Sequence, residues 1–169
     1  QDPETTEERY LEVIYRKTAK LFEAGAQVAA IVAGASTAVE QAMIAYGRHL
    51  GAAFQLVDDA LDYHSSPAER GKNLGDDIAE GKPTLPIIYA LANSSAEDAA
   101  LLRNAVENGG LEDLERITRT IENSGGLEYT AKAARREKDV AVAALDVLPE
   151  SEFRRSLVAL ADFAVARTY

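Results

Sequence analysis

The chain has 169 residues, 47% of them hydrophobic, and a formal charge of −10, enough apolar material for a helical core in one domain or part of a larger one. The charge argues against a nucleic-acid partner, whose phosphates demand a basic face, and the absence of cysteine excludes a disulfide framework and a thiolate zinc site, in keeping with a cytoplasmic setting. The longest apolar run, residues 24–35, is interrupted by Gln27 and Gly34 and falls short of the roughly 18 residues of a transmembrane span; no signal-peptide pattern opens the chain.

Helical periodicity dominates, and Gly and Pro punctuate it without strand alternation, so the fold class read here is all-α. Thr5 with Glu8 forms a capping box opening a first helix, which runs through Tyr10, Ile14, Leu21 and Val28 to about Gly34. A second helix starts near Ser36 or Thr37, carries Met43, Tyr46, Leu50, Phe54, Val57 and Leu61 on related faces, and ends near Tyr63. Residues 65–86, SSPAERGKNLGDDIAEGKPTLP, form a long charged loop with room for one helical turn, of a length that compact domains reserve for function or disorder. Helices follow at about 84–92, at 95–108 with a Ser95/Asp98 cap and a Gly109-Gly110 stop, and at 111–123 closed by Gly125-Gly126. The last two are 127–148, ended by Pro149, and 151–167. With no internal repeat and no low-complexity tract, one bundle-like domain is the simplest description.

The stretch FQLVDDALD, residues 54–62, places Asp58, Asp59 and Asp62 within five residues of an apolar run. Such neighbours on a helix repel, at a few tenths of a kcal/mol per pair, so something must offset them. An acidic face in water is one reading. The other is a hard-cation site, with all three carboxylates directed at one spot: Mg²⁺ is held by one or two carboxylates together with water and substrate phosphates. Lys72 and Lys82 follow in the loop beside Gly71, Gly75 and Gly81, where glycine permits close backbone approach to a ligand. Carboxylates with a glycine- and lysine-bearing loop make a coherent diphosphate site. His49 and His64 have no partner at metal-ligand spacing, and Tyr10, Tyr15, Tyr46 and Tyr89 read as packing residues.

FQLVDDALDY followed by GKNLGDDIAEGKPTLP resembles the second aspartate-rich motif and following loop of the trans-polyprenyl diphosphate synthases, particularly the long-chain octaprenyl or solanesyl type. Arg16-Lys17-Thr18-Ala19 resembles that family's lysine-threonine pair. The resemblance implies an isoprenoid synthase fold, an all-α bundle around a central cavity. It also implies Mg²⁺-assisted condensation of isopentenyl diphosphate with an allylic diphosphate. Under it Asp58 is the principal Mg²⁺ ligand, Asp59 and Asp62 act through water or support it, and Asp77 is the downstream acid. Lys17 and Lys72 hold the allylic diphosphate and Lys82 adds positive potential. Thr18, Phe54 and Gln55 lie near isopentenyl diphosphate and the reacting cation; core packing remains the competing reading for Phe54, and a bond back to its own helix for Thr18.

The chain departs from the family in carrying one aspartate-rich motif where the family has two, and in lacking the basic residues that grip isopentenyl diphosphate upstream. It is therefore expected to be the C-terminal half of a synthase domain, spanning 1–169, with the motif at 58–62 and the loop at 65–86. The residues near Gln1 read as interior loop sequence, which favours a parent protein cut before Gln1 over a stand-alone half. Such a half is expected to expose apolar faces, to need its missing N-terminal half for turnover, and to belong to a homodimer. A terpene cyclase of the same fold, a non-catalytic subunit of a partner synthase and a Ca²⁺-binding bundle are the alternatives.

Overall fold

The computed structural model describes residues 2–63, 76–109 and 111–167, which are helical with no strand among them. In chain order the elements are α1 (Glu7–Ile14), a π-helical turn (Tyr15–Ala19), α2 (Lys20–Val32), α3 (Thr37–Leu61), the single turn α4 (Asp76–Ala79), α5 (Leu85–Asn93), α6 (Ala96–Asn108), α7 (Leu114–Ser124), α8 (Gly126–Ala144) and α9 (Glu152–Ala166). Short 3₁₀ turns occupy Leu111–Asp113 and Leu145–Val147. The expected helix order is borne out, with two refinements. The first cap is Thr6 and not Thr5: its hydroxyl accepts from the Arg9 N–H at 3.2 Å, while the Thr5 hydroxyl donates to the Asp2 carbonyl at 2.7 Å. And the first long helix carries an extra residue, at the π turn.

The chain divides into two compact units. One draws on Gln1–Tyr10 and Asp58–Ala131, the other on Leu11–Val57 and Lys132–Thr168, and the boundaries fall inside α1, α3 and α8. Each unit has its own apolar core, which is why the division exists. In the first, Tyr63, Ile78, Ile87, Leu102, Val106, Ile117 and Ile121 are buried together. Ser95 caps α6 by accepting the Asp98 N–H at 3.2 Å, Gly109 and Gly125 end α6 and α7 with φ of 81° and 82°, and Tyr89 stacks on Tyr129 at 4.3 Å.

In the second unit, Tyr46, Leu50, Ala141, Leu145, Ala161 and Ala164 form the core. The Tyr46 hydroxyl donates to the Leu157 carbonyl at 2.8 Å, and burial pushes it up to about 12. Two glycines let α3 approach the preceding helix backbone to backbone. A Cβ at Gly47 would stand 2.5 Å from the Phe22 carbonyl oxygen, and one at Gly51 2.6 Å from the Ala19 Cα, so only glycine fits. Leu21, Val28 and Val32 of α2 and Phe153 and Phe163 of α9 are exposed apolar residues.

Candidate functional site

In the first unit the three carboxylates part company. Asp59 follows Leu56 by three residues and precedes Tyr63 by four, on the buried stripe of α3 and its end, and is itself buried. Its Oδ2 accepts the Tyr10 hydroxyl at 2.6 Å. Burial, and next the negative charge of Asp59, push the Tyr10 phenol well above its ordinary range. Asp58 is one residue and about 100° away around the helix and is exposed. Asp62 lies one turn beyond Asp58, and its Oδ2 accepts the Asp77 N–H at 3.1 Å. The expected convergence of Asp58, Asp59 and Asp62 on one spot is thus corrected: adjacent helical residues diverge, and Asp59 points into the core.

Asp77 sits in α4, whose end explains the Gly-Lys-Pro segment after it. The Lys82 N–H reaches the Asp77 carbonyl at 2.8 Å and the Gly81 N–H the Ile78 carbonyl at 2.9 Å, with Gly81 at φ 63°. This is a left-handed helix stop that glycine accommodates. It folds Lys82 back so that its ammonium lies 2.5 Å from Glu80 and 3.3 Å from Asp77. The Glu80 and Asp77 contacts hold Lys82 above the usual lysine range, against the opposing effect of desolvation. Lys82 is therefore paired with two carboxylates. Lys72 and His64 lie outside the described residues.

Among the described residues no group of three or more His, Cys, Asp or Glu is placed to hold a metal ion. Exposed Asp58 with Asp62 one turn on offers one or two carboxylates. That set fits Mg²⁺ arriving with a diphosphate and does not fit a cage of protein ligands alone.

In the second unit the π turn carries Lys17 and Thr18. Its defining bond runs from the Lys20 N–H to the Tyr15 carbonyl, five residues back, and such single-turn insertions recur at functional sites. Lys17 is exposed. The Thr18 hydroxyl donates to Oε1 of buried Gln55 at 2.8 Å, so it bonds across to α3 and not back into its own helix. This orients the Gln55 amide. Phe54 lies 5.6 Å from Phe22, tilted by 38°, and the Arg167 guanidinium stands 4.2 Å over its ring, a cation–π contact. One ring face is thus already given to a cation of the protein. His49 Nδ1 lies 2.7 Å from Glu137, a satisfied histidine as expected.

Several contributors escaped the sequence reading. Tyr10 and Tyr15 read as packing, yet Tyr10 holds Asp59 and the Tyr15 hydroxyl donates to buried Glu23 at 2.9 Å. A glutamate set among the apolar residues of α2 is the sequence signal that could have found Glu23. Nothing in sequence pairs Arg167 with Phe54.

Residues 1–123 match the family model described as polyprenyl synthetase. The chain is 49% identical over 169 residues to the octaprenyl diphosphate synthase of Haemophilus influenzae and 48% identical over 167 residues to that of Escherichia coli. These matches cover 99% and 98% of this chain but 51% and 52% of the relatives, so the chain spans about half the length of the curated relatives it matches. A polyprenyl synthase from Caulobacter crescentus, solved with calcium and isoprenyl diphosphate, superposes with a TM-score of 0.92 at 41% identity, over 99% of this chain and 52% of that one. None of the helices among the described residues is long and apolar enough to cross a membrane. Since the family match takes in both the Lys17-Thr18 turn and the Asp58–Asp62 segment, and the helices superpose on isoprenyl diphosphate synthases, the chain belongs to the polyprenyl synthetase family and has the isoprenoid synthase fold.

Proposed function

We propose that this chain is the C-terminal half of a trans-polyprenyl diphosphate synthase domain, which joins isopentenyl diphosphate to an allylic diphosphate to make a long-chain polyprenyl diphosphate. In that reaction the allylic C–O bond breaks and diphosphate leaves with the electron pair. The isopentenyl double bond attacks the allylic carbon, and a proton departs from the adduct. The same reading makes the working unit a cytoplasmic homodimer.

The observation that carries this reading is the division among the carboxylates. Asp59 is held by Tyr10 and Asp62 by the Asp77 N–H, while Asp58 is exposed. Asp58 and Asp62 would hold Mg²⁺, which when bound would supply neutralisation of the leaving diphosphate. Asp59, buried and hydrogen-bonded, anchors the end of α3 from which Asp58 projects. Lys17, exposed on its π turn, meets diphosphate oxygens, a role shared by Lys72. Lys82 offsets the charge of Asp77 and Glu80, so that these acids do not repel an anionic ligand. Thr18 fixes the Gln55 amide so that it can face developing charge without reorganising, and Phe54, backed by Arg167, gives that part of its unit an apolar wall that keeps water from an allylic cation.

Calorimetric titration of inorganic diphosphate in the presence of Mg²⁺ tests the reading. The wild-type chain is expected to bind, and Asp58→Ala to lose binding while its circular dichroism is unchanged; equal binding by both overturns the metal role. The 169 residues alone are expected to form no polyprenyl product from geranyl diphosphate and isopentenyl diphosphate. Product from the chain alone would overturn that part of the reading, and a cyclic product would favour a terpene cyclase.

A further inference from the structure

The Lys17-Thr18 pair sits on one surplus residue in a helix. An α-helix advances about 100° per residue, so in a straight helix Tyr15 and Lys20, five apart, would point about 140° away from each other. Tyr15 and Glu23, eight apart, would diverge by about 80°. The observed contacts contradict that geometry. The Glu23 carboxylate lies 2.5 Å from the Lys20 ammonium through Oε1 and accepts the Tyr15 hydroxyl at 2.9 Å through Oε2. Lys20 Nζ is also 3.4 Å from the Tyr15 hydroxyl.

The π turn reconciles the two. By absorbing one residue it brings Tyr15 and Lys20 into the relationship of an i,i+4 pair, about 40° apart, and Tyr15 and Glu23 into that of an i,i+7 pair, about 20° apart. Tyr15 and Lys20 are also the two ends of the π hydrogen bond. One buried carboxylate therefore ties together the side chains of the residues whose backbones define the bulge. A straight helix would carry Tyr15 away from Lys20 and leave Glu23, only 6% exposed, without the Tyr15 hydroxyl, with Lys20, three residues away in the same helix, as its remaining donor.

Helix α3 supports the same turn along one stripe. The Arg48 guanidinium lies 4.4 Å over the Tyr15 ring, Gly51 abuts Ala19 and Gln55 accepts from Thr18. Straightening the helix would rotate Thr18 by about 100° relative to α2, and its bond to Gln55 could not survive with Gly51 still seated on Ala19.

We propose that Glu23 is a positioning residue, whose carboxylate bridges Tyr15 and Lys20 to hold the π turn in the register that presents Lys17 and Thr18 to the allylic diphosphate. The substrate side of this proposal rests on the functional reading above; the structural side does not. Glu23 touches no substrate and acts through the turn.

The test uses the parent synthase that the functional reading supposes, N-terminal half included, and two variants, Glu23→Gln and Tyr15→Phe, the second keeping the ring beneath Arg48 should the first fail to fold. Two quantities are read: hydrogen exchange at the backbone amides of residues 15–20, and kcat and KM with geranyl diphosphate and isopentenyl diphosphate. Both variants are expected to exchange faster in that segment alone and to lose about 10- to 100-fold in kcat, with KM for the allylic substrate changed less than kcat. Wild-type exchange in both variants overturns the brace, and accelerated exchange with kcat untouched overturns the positioning of Lys17 and Thr18 for the reaction. If the wild-type protein itself neither turns over nor binds diphosphate, the functional reading falls, and exchange still decides whether Glu23 holds the turn.

Discussion

The Tyr10 hydroxyl donates to Oδ2 of Asp59 at 2.6 Å, and both residues are buried. The bond joins the fourth residue of α1 to the aspartate-rich end of α3. Tyr10→Phe keeps the ring and removes the donor. A hydrogen bond to a charged partner contributes about 1.5–3 kcal/mol, so the variant is expected to lose stability by that amount in urea denaturation, and unchanged stability would show the bond to be idle. A pH dependence accompanies it. The folded-state phenol titrates well above its ordinary value, mainly through burial and then through Asp59. The unfolded chain therefore releases this proton first, at about pH 10, and the contribution is complete below that pH and lost above it. Wild type is expected to lose stability more steeply than Tyr10→Phe on the alkaline side.

The Thr18–Gln55 bond joins two motifs 37 residues apart. In a double-mutant cycle with Thr18→Val and Gln55→Leu, a coupling of about 0.5–1.5 kcal/mol is expected. A coupling near zero would mean that the two side chains act independently.

Glycine substitutions distinguish close approach from mere permissiveness. Gly51→Ala places a methyl 2.6 Å from the Ala19 Cα, a backbone atom that cannot swing aside, and is expected to destabilise by about 1–3 kcal/mol. Gly25, in the middle of α2 with nothing within 4 Å of a built Cβ, is the control. Gly25→Ala is expected to stabilise by about 0.5–1 kcal/mol through helix propensity. Thermal unfolding of the two variants should move in opposite directions.

Glu23 contributes on the acid side. Burial alone would raise its carboxyl, but the hydrogen bonds from Lys20 and Tyr15 outweigh burial, and the net displacement is below the ordinary glutamate value. A depressed folded value means that the stabilisation is complete above about pH 4.3 and is lost as the pH falls through the folded value. The acid limb of a stability–pH profile is expected to flatten in Glu23→Gln; an unchanged limb would show that other carboxylates dominate it.

The 3.6-residue periodicity, the Ser95 cap and the glycine stops at Gly109 and Gly125 made the later helices legible from sequence, because each depends on a few neighbouring residues. The candidate chemistry was legible for the same reason: Asp58 and Asp62, or Lys17 and Thr18, are close in the chain. What failed was direction. The convergence of three aspartates was a statement about side-chain orientation, and orientation is set by which face of α3 is buried.

The sequence by itself determined an all-helical chain, the order and ends of most helices, and a family resemblance that the comparisons bear out. The tertiary structure alone decided that Asp59 turns to Tyr10 while Asp58 stays exposed, that Arg167 covers Phe54, and that one surplus residue at Tyr15–Ala19 is accommodated as a π turn tied by Glu23. The reason is range. Helix propensity and capping act over a turn or two, whereas the burial that selects a helix face and the contacts that hold a bulge come from residues tens of positions away.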